Sequence, residues 1–375
     1  MIHPLRMVAL AMAFVTALWN SGAATMTQLP GLVREPLRLD VTLPDGIHAA
    51  LEALLTRPDR PGRFPLVMIN HGTARTAIDV VRLAPEAYSG PAVVFAQHGY
   101  AAVVVNRRGY GLSSSAPSDI DAGPCGDRNY VTFGRRSSID VLAALAALQR
   151  EPWADQNHAI MAGHSSGGLA VLAAAANLPA AVTGIISFTG AFGSPGDDMV
   201  CQPERLIGAM REFGANVHIA SLWIYAENDH FFGPTLARQM FDAFTANGAP
   251  ASFDAAPSFG RDGHLLIFTA APALWWPRVA TFLDQLDMPT QLVVDLPAPA
   301  PLPDPPNLDA RGKEDFASYV SSRSYEKAFA TDGNGHYARV FGERTQEEAS
   351  TAALAHCNGR GWTCQLYALN NTLRP

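Results

Sequence analysis

Two hydrophobic rhythms alternate along most of the chain. Leu37 to Leu43 switches between apolar and polar residues, Pro44-Asp45-Gly46 is a turn signal, and Ile47 to Thr56 resumes an extended pattern, which predicts an opening antiparallel hairpin. Pro65-Leu66-Val67-Met68-Ile69-Asn70 and Ala101 to Val105 are instead unbroken apolar runs, as strands covered on both faces require. Helical spacing follows each: one stretch over Ala84 to Gln97, and an amphipathic helix over Ser137 to Gln149 with Ser137 or Ser138 as its cap and Asp140 in its first turn. A strand ending at Ala162, an alanine-rich helix after it, strands at Gly184 to Phe188, Ile219 to Tyr225 and Ala251 to Ala255, and helices at Thr235 to Thr245 and Ala273 to Leu286 continue the alternation. The pattern predicts an α/β fold with a mostly parallel, doubly wound sheet.

The rhythm stops at Pro297–Pro306, where six of ten residues are proline. Such a stretch forms neither helix nor central strand and reads as an extended spacer that holds the C-terminal segment at some distance. Beyond it, strands at Tyr325 to Ala330 and Gly335 to Phe341, a helix at Thr345 to His356 with the capping box Thr345-Gln346-Glu347-Glu348, and a strand at Cys364 to Leu369 predict a small α+β domain. No internal repeat interrupts this plan. The expected division is a signal peptide at 1–24, a large domain at 30–292, a proline-rich linker at 293–312 and the small domain at 313–375.

The first of these segments has His3 and Arg6, an apolar run from Met7 to Trp19, and small residues around Ala23-Ala24, the layout of a secretory signal. An uncleaved membrane anchor is the competing reading. With the signal removed, no later run reaches membrane-spanning length, so a soluble, exported protein (periplasmic or extracellular) is expected. Cys125, Cys201, Cys357 and Cys364 fit an oxidising compartment, where four cysteines permit three pairings. Cys357 and Cys364 are close enough for a local bridge. The absence of C-x-x-C argues against a zinc ribbon or thioredoxin-type site. A formal charge of −7, from 27 basic and 34 acidic residues, leaves no basic stripe for a nucleic-acid partner, and 48% hydrophobic content in 375 residues supports a sizeable core.

The candidate chemistry lies in Gly163-His164-Ser165-Ser166-Gly167, between a short apolar strand and strong helix formers. This is the G-x-S-x-G elbow, which thrusts a serine hydroxyl out of a strained turn. A serine needs an imidazole to take its proton and a carboxylate to fix the imidazole tautomer, in the order Ser, acid, His. Asp229, with Glu227 as its rival, follows the strand at Ile224-Tyr225. Among the histidines beyond it, His230 is adjacent to the acid and His336 and His356 lie past the linker, leaving His264. The oxyanion donors are expected to be the N–H groups of Ser166 and of Thr73 after His71-Gly72. His164 reads as a packed residue of the elbow.

His71-Gly72, the turn Arg108-Gly109-Tyr110-Gly111-Leu112-Ser113, Gly163 to Gly167, Asp229 and His264 together resemble the α/β-hydrolase superfamily, in its dienelactone-hydrolase-like and prolyl-oligopeptidase-like branch, over about residues 35 to 290. The resemblance implies a mostly parallel eight-stranded sheet and hydrolysis without metal or other cofactor, through an acyl-enzyme on Ser165. Dienelactone hydrolases use cysteine where this chain has serine. The segment after the linker resembles a small cysteine-containing domain of bacterial exported proteins.

Three functions stand as expectations: an esterase acting on a small-molecule carboxylic ester, a peptidase or amidase of the same branch, and a non-catalytic binding protein on a hydrolase fold. The short segment before the first strand favours the esterase, since peptidases of that branch usually carry a large N-terminal propeller. Two loops, Ser114 to Gly134 and Gly190 to Phe213, are expected to frame the site, stapled by a Cys125–Cys201 bridge. Tyr130, Phe133, Phe192 and Met199 are candidates for an acyl pocket.

Overall fold

The computed structural model describes residues 26–114 and 122–374. The segment read as a signal peptide lies outside these residues.

Strands β1 (Leu32–Thr42) and β2 (His48–Pro58) form the opening hairpin, with Leu39 opposite Leu51. Strands β3 (Phe64–Asn70), β4 (Ala101–Val105) and β5 (Ala154–His164) are parallel to one another. Their unbroken apolar runs have a direct cause: Leu66 and Met68 enter the core on one face of the sheet, Val67 and Ile69 the core on the other.

Between β3 and β4 the single helix expected over 84–97 is replaced by α1 (Ala77–Arg82), a 3₁₀ turn at Pro85–Tyr88 and α2 (Ser89–Gln97). Pro85 cannot continue a preceding helix and so starts a new turn. Helix α3 (Tyr130–Leu148) starts well before Ser137, because Asn129 is its cap and accepts from Thr132 N at 2.9 Å. Asp140 is therefore a mid-helix residue, buried and bonded to Arg108 Nε at 2.7 Å, rather than a first-turn charge.

Helix α4 (Ser166–Ala174), β6 (Val182–Phe188), α5 (Pro203–Gly214), β7 (Ala220–Ala226), α6 (Pro234–Thr245), β8 (Ala251–Ala256), α7 (Leu266–Thr269) and α8 (Trp276–Asp284) complete the first unit. Helix α5 occupies a stretch read as loop; Leu206, Ala209, Met210 and Phe213 form its buried stripe. The sheet order is β1-β2-β4-β3-β5-β6-β7-β8, parallel from β4 onward. β3 has β4 on one side and β5 on the other, so the strand order reverses there. The carboxyl ends of β3 and β5 are the switch point at which open α/β sheets hold their sites.

A separate antiparallel sheet, ordered β10-β9-β11-β12, follows residue 309. It is built from α9 (Ala310–Ser321), β9 (Ala328–Thr331), β10 (Tyr337–Val340), α10 (Gln346–Asn358), β11 (Gln365–Leu369) and β12 (Thr372–Leu373). Thr345 caps α10 by accepting from Glu348 N at 3.1 Å, while Glu348 Oε2 accepts from Arg344 N, one residue before the expected return bond of a capping box. Helix α9 went unpredicted; Asp309 is its cap, accepting from Gly312 N at 2.6 Å.

The proline-rich stretch forms no regular element between 297 and 305, but it does not hold the tail away. It is strapped down by Arg323, which donates to Leu296 O and Pro297 O, and by Tyr367, whose hydroxyl donates to Pro303 O. The tail packs on the hairpin through a buried Arg34–Glu326 pair at 3.0 Å and a two-pronged contact from Arg344 to Glu52, at 2.7 and 2.9 Å. Both side chains of the Arg34–Glu326 pair are fully buried, so removing one leaves the other charged and unpaired. Glu326→Ala should therefore lower the unfolding free energy by about 3–5 kcal/mol, and Arg34→Met combined with Glu326→Leu by much less. Denaturant unfolding of the three proteins measures both; equal losses in the single and double variants would contradict it.

Candidate active site

Ser165 stands between β5 and α4 at φ 54°, ψ −123°. That backbone is costly for a residue with a Cβ and survives only where its surroundings impose it. Here two glycines do so. A Cβ on Gly163 would run into Gly167 O, and one on Gly167 would run into Asn70 O, so the elbow packs directly against the end of β3. The sequence pattern G-x-S-x-G is the record of those two close approaches.

Asp229 and His264 meet at 3.1 Å, Oδ2 to Nδ1, and both are buried. The other carboxylate oxygen of Asp229 accepts from the N–H groups of Phe231 and Phe232 at 2.8 and 2.9 Å, which fixes the plane it offers to the imidazole. Glu227, the rival acid, is exposed. His264 N donates to Asp262 Oδ1 at 2.9 Å, and the same oxygen accepts from His230 N at 3.1 Å, tying the two loops together. Phe231 lies flat on the His264 ring, 4.0 Å between centroids and 8° from parallel, and Arg75 caps its other side at 3.7 Å. His230 faces Asp198 at 2.9 Å, and that carboxylate holds its pKa above the ordinary imidazole value. His336 pairs with Asp332 in the tail, and His356 lines a tail groove away from Ser165. Among the described residues the Ser165 hydroxyl makes no hydrogen bond; it opens on a cavity of about 330 Å³ that Thr73, Arg75, Arg128, Phe192 and Phe231 also line.

Thr73 and Ser166, named as oxyanion donors through their backbones, are joined through their side chains. Thr73 Oγ1 lies 2.7 Å from Ser166 Oγ and 2.6 Å from Tyr110 OH. Behind them Arg107, buried, donates to Ser166 Oγ at 3.1 Å and to His71 O at 2.8 Å. Its backbone N–H donates to His71 Nε2 at 3.0 Å, so the neutral His71 ring carries its proton on Nδ1 and gives it to Gly72 O. One cation thus holds the ends of both segments that supply the candidate oxyanion donors. Arg107 escaped sequence reasoning because the turn motif draws attention to Arg108, whose partner is Asp140.

The elbow histidine has a second-order place. Gly72 N donates to Tyr88 OH at 2.7 Å, Tyr88 OH meets His164 Nδ1 at 3.0 Å, and His164 Nε2 meets His264 O at 2.9 Å. A carbonyl only accepts, so Nε2 carries the proton and Tyr88 donates to Nδ1.

Cys125 pairs with Cys201 and Cys357 with Cys364. The first bridge joins the loop that bears Arg128 to the loop that bears Phe192, two walls of the cavity. Of the four acyl-pocket candidates only Phe192 lines it. Tyr130 and Phe133 are buried in the core, with Phe133 stacked beneath Phe192 at 4.1 Å, and Met199 points outward with 59% of its surface exposed.

Residues 65–221 match the family described as serine aminopeptidase, S33. With the strand order and the elbow, this decides the architecture. The chain has an α/β-hydrolase fold. Similar solved structures include a CIB-like hydrolase from Thermoplasma acidophilum, 18% identical over 68% of this chain and 99% of that one, with a TM-score of 0.44. An acetyl xylan esterase from Paenibacillus sp. R4 is 14% identical over 70% and 87%, with a TM-score of 0.49. An acylaminoacyl peptidase from Pyrococcus horikoshii is 16% identical over 72% and 43%, with a TM-score of 0.47. Among curated proteins none matches the chain.

Within this α/β-hydrolase, burial holds His71 and His164 well below the ordinary imidazole pKa, helped by the charge of Arg107 for His71 and by His264 for His164. The unfolded chain therefore binds protons near pH 6.5 that the native state refuses, and stability falls as pH drops below that value. Each imidazole should contribute up to about 1.4 kcal/mol per pH unit to this slope. Denaturant unfolding at pH 7.5 and 5.5 should show a smaller acid loss in His164→Gln than in the parent; equal losses would contradict the assignment.

Proposed function

We propose that the protein is an exported serine hydrolase that cleaves small-molecule carboxylic esters through an acyl-enzyme on Ser165. The observation that carries this reading is the strained, cavity-facing Ser165 at the sheet's switch point, with a buried Asp229–His264 pair on the neighbouring loops.

Ser165 Oγ attacks the ester carbonyl and gives its proton to His264 Nε2, while Asp229 accepts from Nδ1–H and steadies the imidazolium. The oxyanion of the tetrahedral adduct is held by the N–H groups of Ser166 and Thr73. Collapse of the adduct breaks the bond to the alkoxy oxygen, which takes the proton from His264 and leaves as the alcohol. Water, deprotonated by His264, attacks the acyl carbon, and the carboxylic acid departs as Ser165 recovers its proton.

A second reading, peptidase or amidase, is favoured by one finding: the matched family is described as a serine aminopeptidase. The same steps then expel an amine. The two disulfides, which suit an oxidising compartment, support reading residues 1–24 as an export signal. Among the described residues no helix is long and apolar enough to cross a membrane.

Hydrolysis of nitrophenyl esters of increasing acyl length, beside matched peptide amides, separates the readings. Ester turnover is expected, abolished in Ser165→Ala and lowered about 10⁴-fold in Asp229→Asn. Turnover of amides alone would put the peptidase first, and turnover that survives Ser165→Ala would overturn the mechanism.

A further inference from the structure

The loop that carries His264 is held from two sides. On the sheet side, Asn228 Oδ1 accepts from Phe259 N at 2.9 Å, Asn228 Nδ2 donates to Phe259 O and Gly260 O at 3.2 Å, and Gly263 N donates to Asn228 O at 3.0 Å. On the other side several partners come from the tail. Arg261, three residues before the histidine, donates to Asp315 Oδ2 of α9 at 3.2 Å. The Phe268 carbonyl accepts from Ser324 Oγ at 3.0 Å and Ser322 Oγ at 3.4 Å, and Thr269 O accepts from Ser318 Oγ at 3.5 Å.

These carbonyls end α7, the four-residue helix that begins two residues after His264. So short a helix cannot bond its own last carbonyls, and they need partners from outside. Ser322 and Ser324 are 1% exposed, so water does not stand in for them. Ser324 N in turn donates to Ser322 Oγ at 3.1 Å, and Tyr325 N to Ser89 Oγ at 3.1 Å, which locks the segment onto the start of α2. The Phe268 ring meets Tyr88 at 4.4 Å and His164 at 4.5 Å, and His164 holds the His264 carbonyl. A continuous set of contacts therefore runs from the tail serines to the backbone of the candidate base.

We propose that the C-terminal tail is a positioning element of the active site, its residues Asp315, Ser322 and Ser324 fixing the 259–270 loop so that His264 stands in register with Asp229 and Ser165. This rests on the reading of His264 as the catalytic base. It gives the tail a task inside the hydrolase rather than on a separate partner. Because hydroxyls cap α7 while an ion pair fixes Arg261, the two ends of the loop are braced independently.

The test uses the full chain carrying Ser322→Ala with Ser324→Ala, Arg261→Met, Arg261→Lys, and Ala349→Gly, the last in the buried face of α10. Two quantities are followed: kcat and KM on a nitrophenyl ester, and amide hydrogen exchange across 259–270. The double serine variant should lose about ten- to a hundredfold in kcat with KM nearly constant, and exchange in the loop should quicken. Arg261→Lys should retain more activity than Arg261→Met, and Ala349→Gly should change neither quantity. If the double variant does not fold, the single serine variants carry the same comparison. Unchanged kcat and loop exchange in the serine variants would overturn the proposal, as would equal losses in Ala349→Gly. A parent protein that hydrolyses neither ester nor amide would instead sink the reading of His264, and accelerated exchange alone would still show the tail holding the loop.

Discussion

Everything in the site depends on one close approach, that of the β5–α4 turn to the end of β3. Gly163 and Gly167 let backbone pass backbone there, with Asn70 registered opposite Gly163. The approach forces Ser165 into a conformation that most residues avoid, and the same packing places Ser166, His71 and Thr73 within one short reach. The strain is sustained by the sheet: β3 and β5 are central strands covered on both faces, so the turn cannot relax without disturbing two cores.

Bringing those segments together buries polar groups, and the structure answers with paired partners. Buried Arg107 donates to His71 O and to Ser166 Oγ, so hydrogen bonds within the site offset part of the cost of burying its charge. The two neutral histidines are each held in one tautomer by neighbours of fixed role, a backbone N–H for His71 and a carbonyl for His164. Networks of this kind are rigid when complete, which suits the proposed role of holding Ser166 and Thr73 N–H groups ready for a developing charge.

The parts legible in the sequence were those with a local cause. The elbow is a short motif, the parallel strands are continuous apolar runs, and Cys357 and Cys364 lie only seven residues apart, whereas the chain leaves the Cys125–Cys201 bridge as one of three possible pairings. The order of Ser165, Asp229 and His264 could be proposed from the chain, but the choice between Asp229 and Glu227 turns on a two-residue difference that only the turn geometry shows. What was hidden depends on distant partners or competing local signals. Helix α3 begins at an asparagine cap before glycine and β-branched residues, so its apolar period emerges only later. Arg107 meets Ser166 across 59 positions of sequence. The tail's embrace of the hairpin and of the His264 loop links residues hundreds of positions apart or on either side of a proline-rich stretch, and composition alone suggested separation.

The account stands on Ser165 as the nucleophile, activated in the folded site. Its most direct test is the reaction of the intact protein with an organic fluorophosphonate, followed by mass spectrometry of the whole chain and of its peptides. A single stoichiometric adduct on the peptide containing Ser165, absent after unfolding, is the predicted result. No adduct on the folded protein, or an adduct on any other serine, would contradict it.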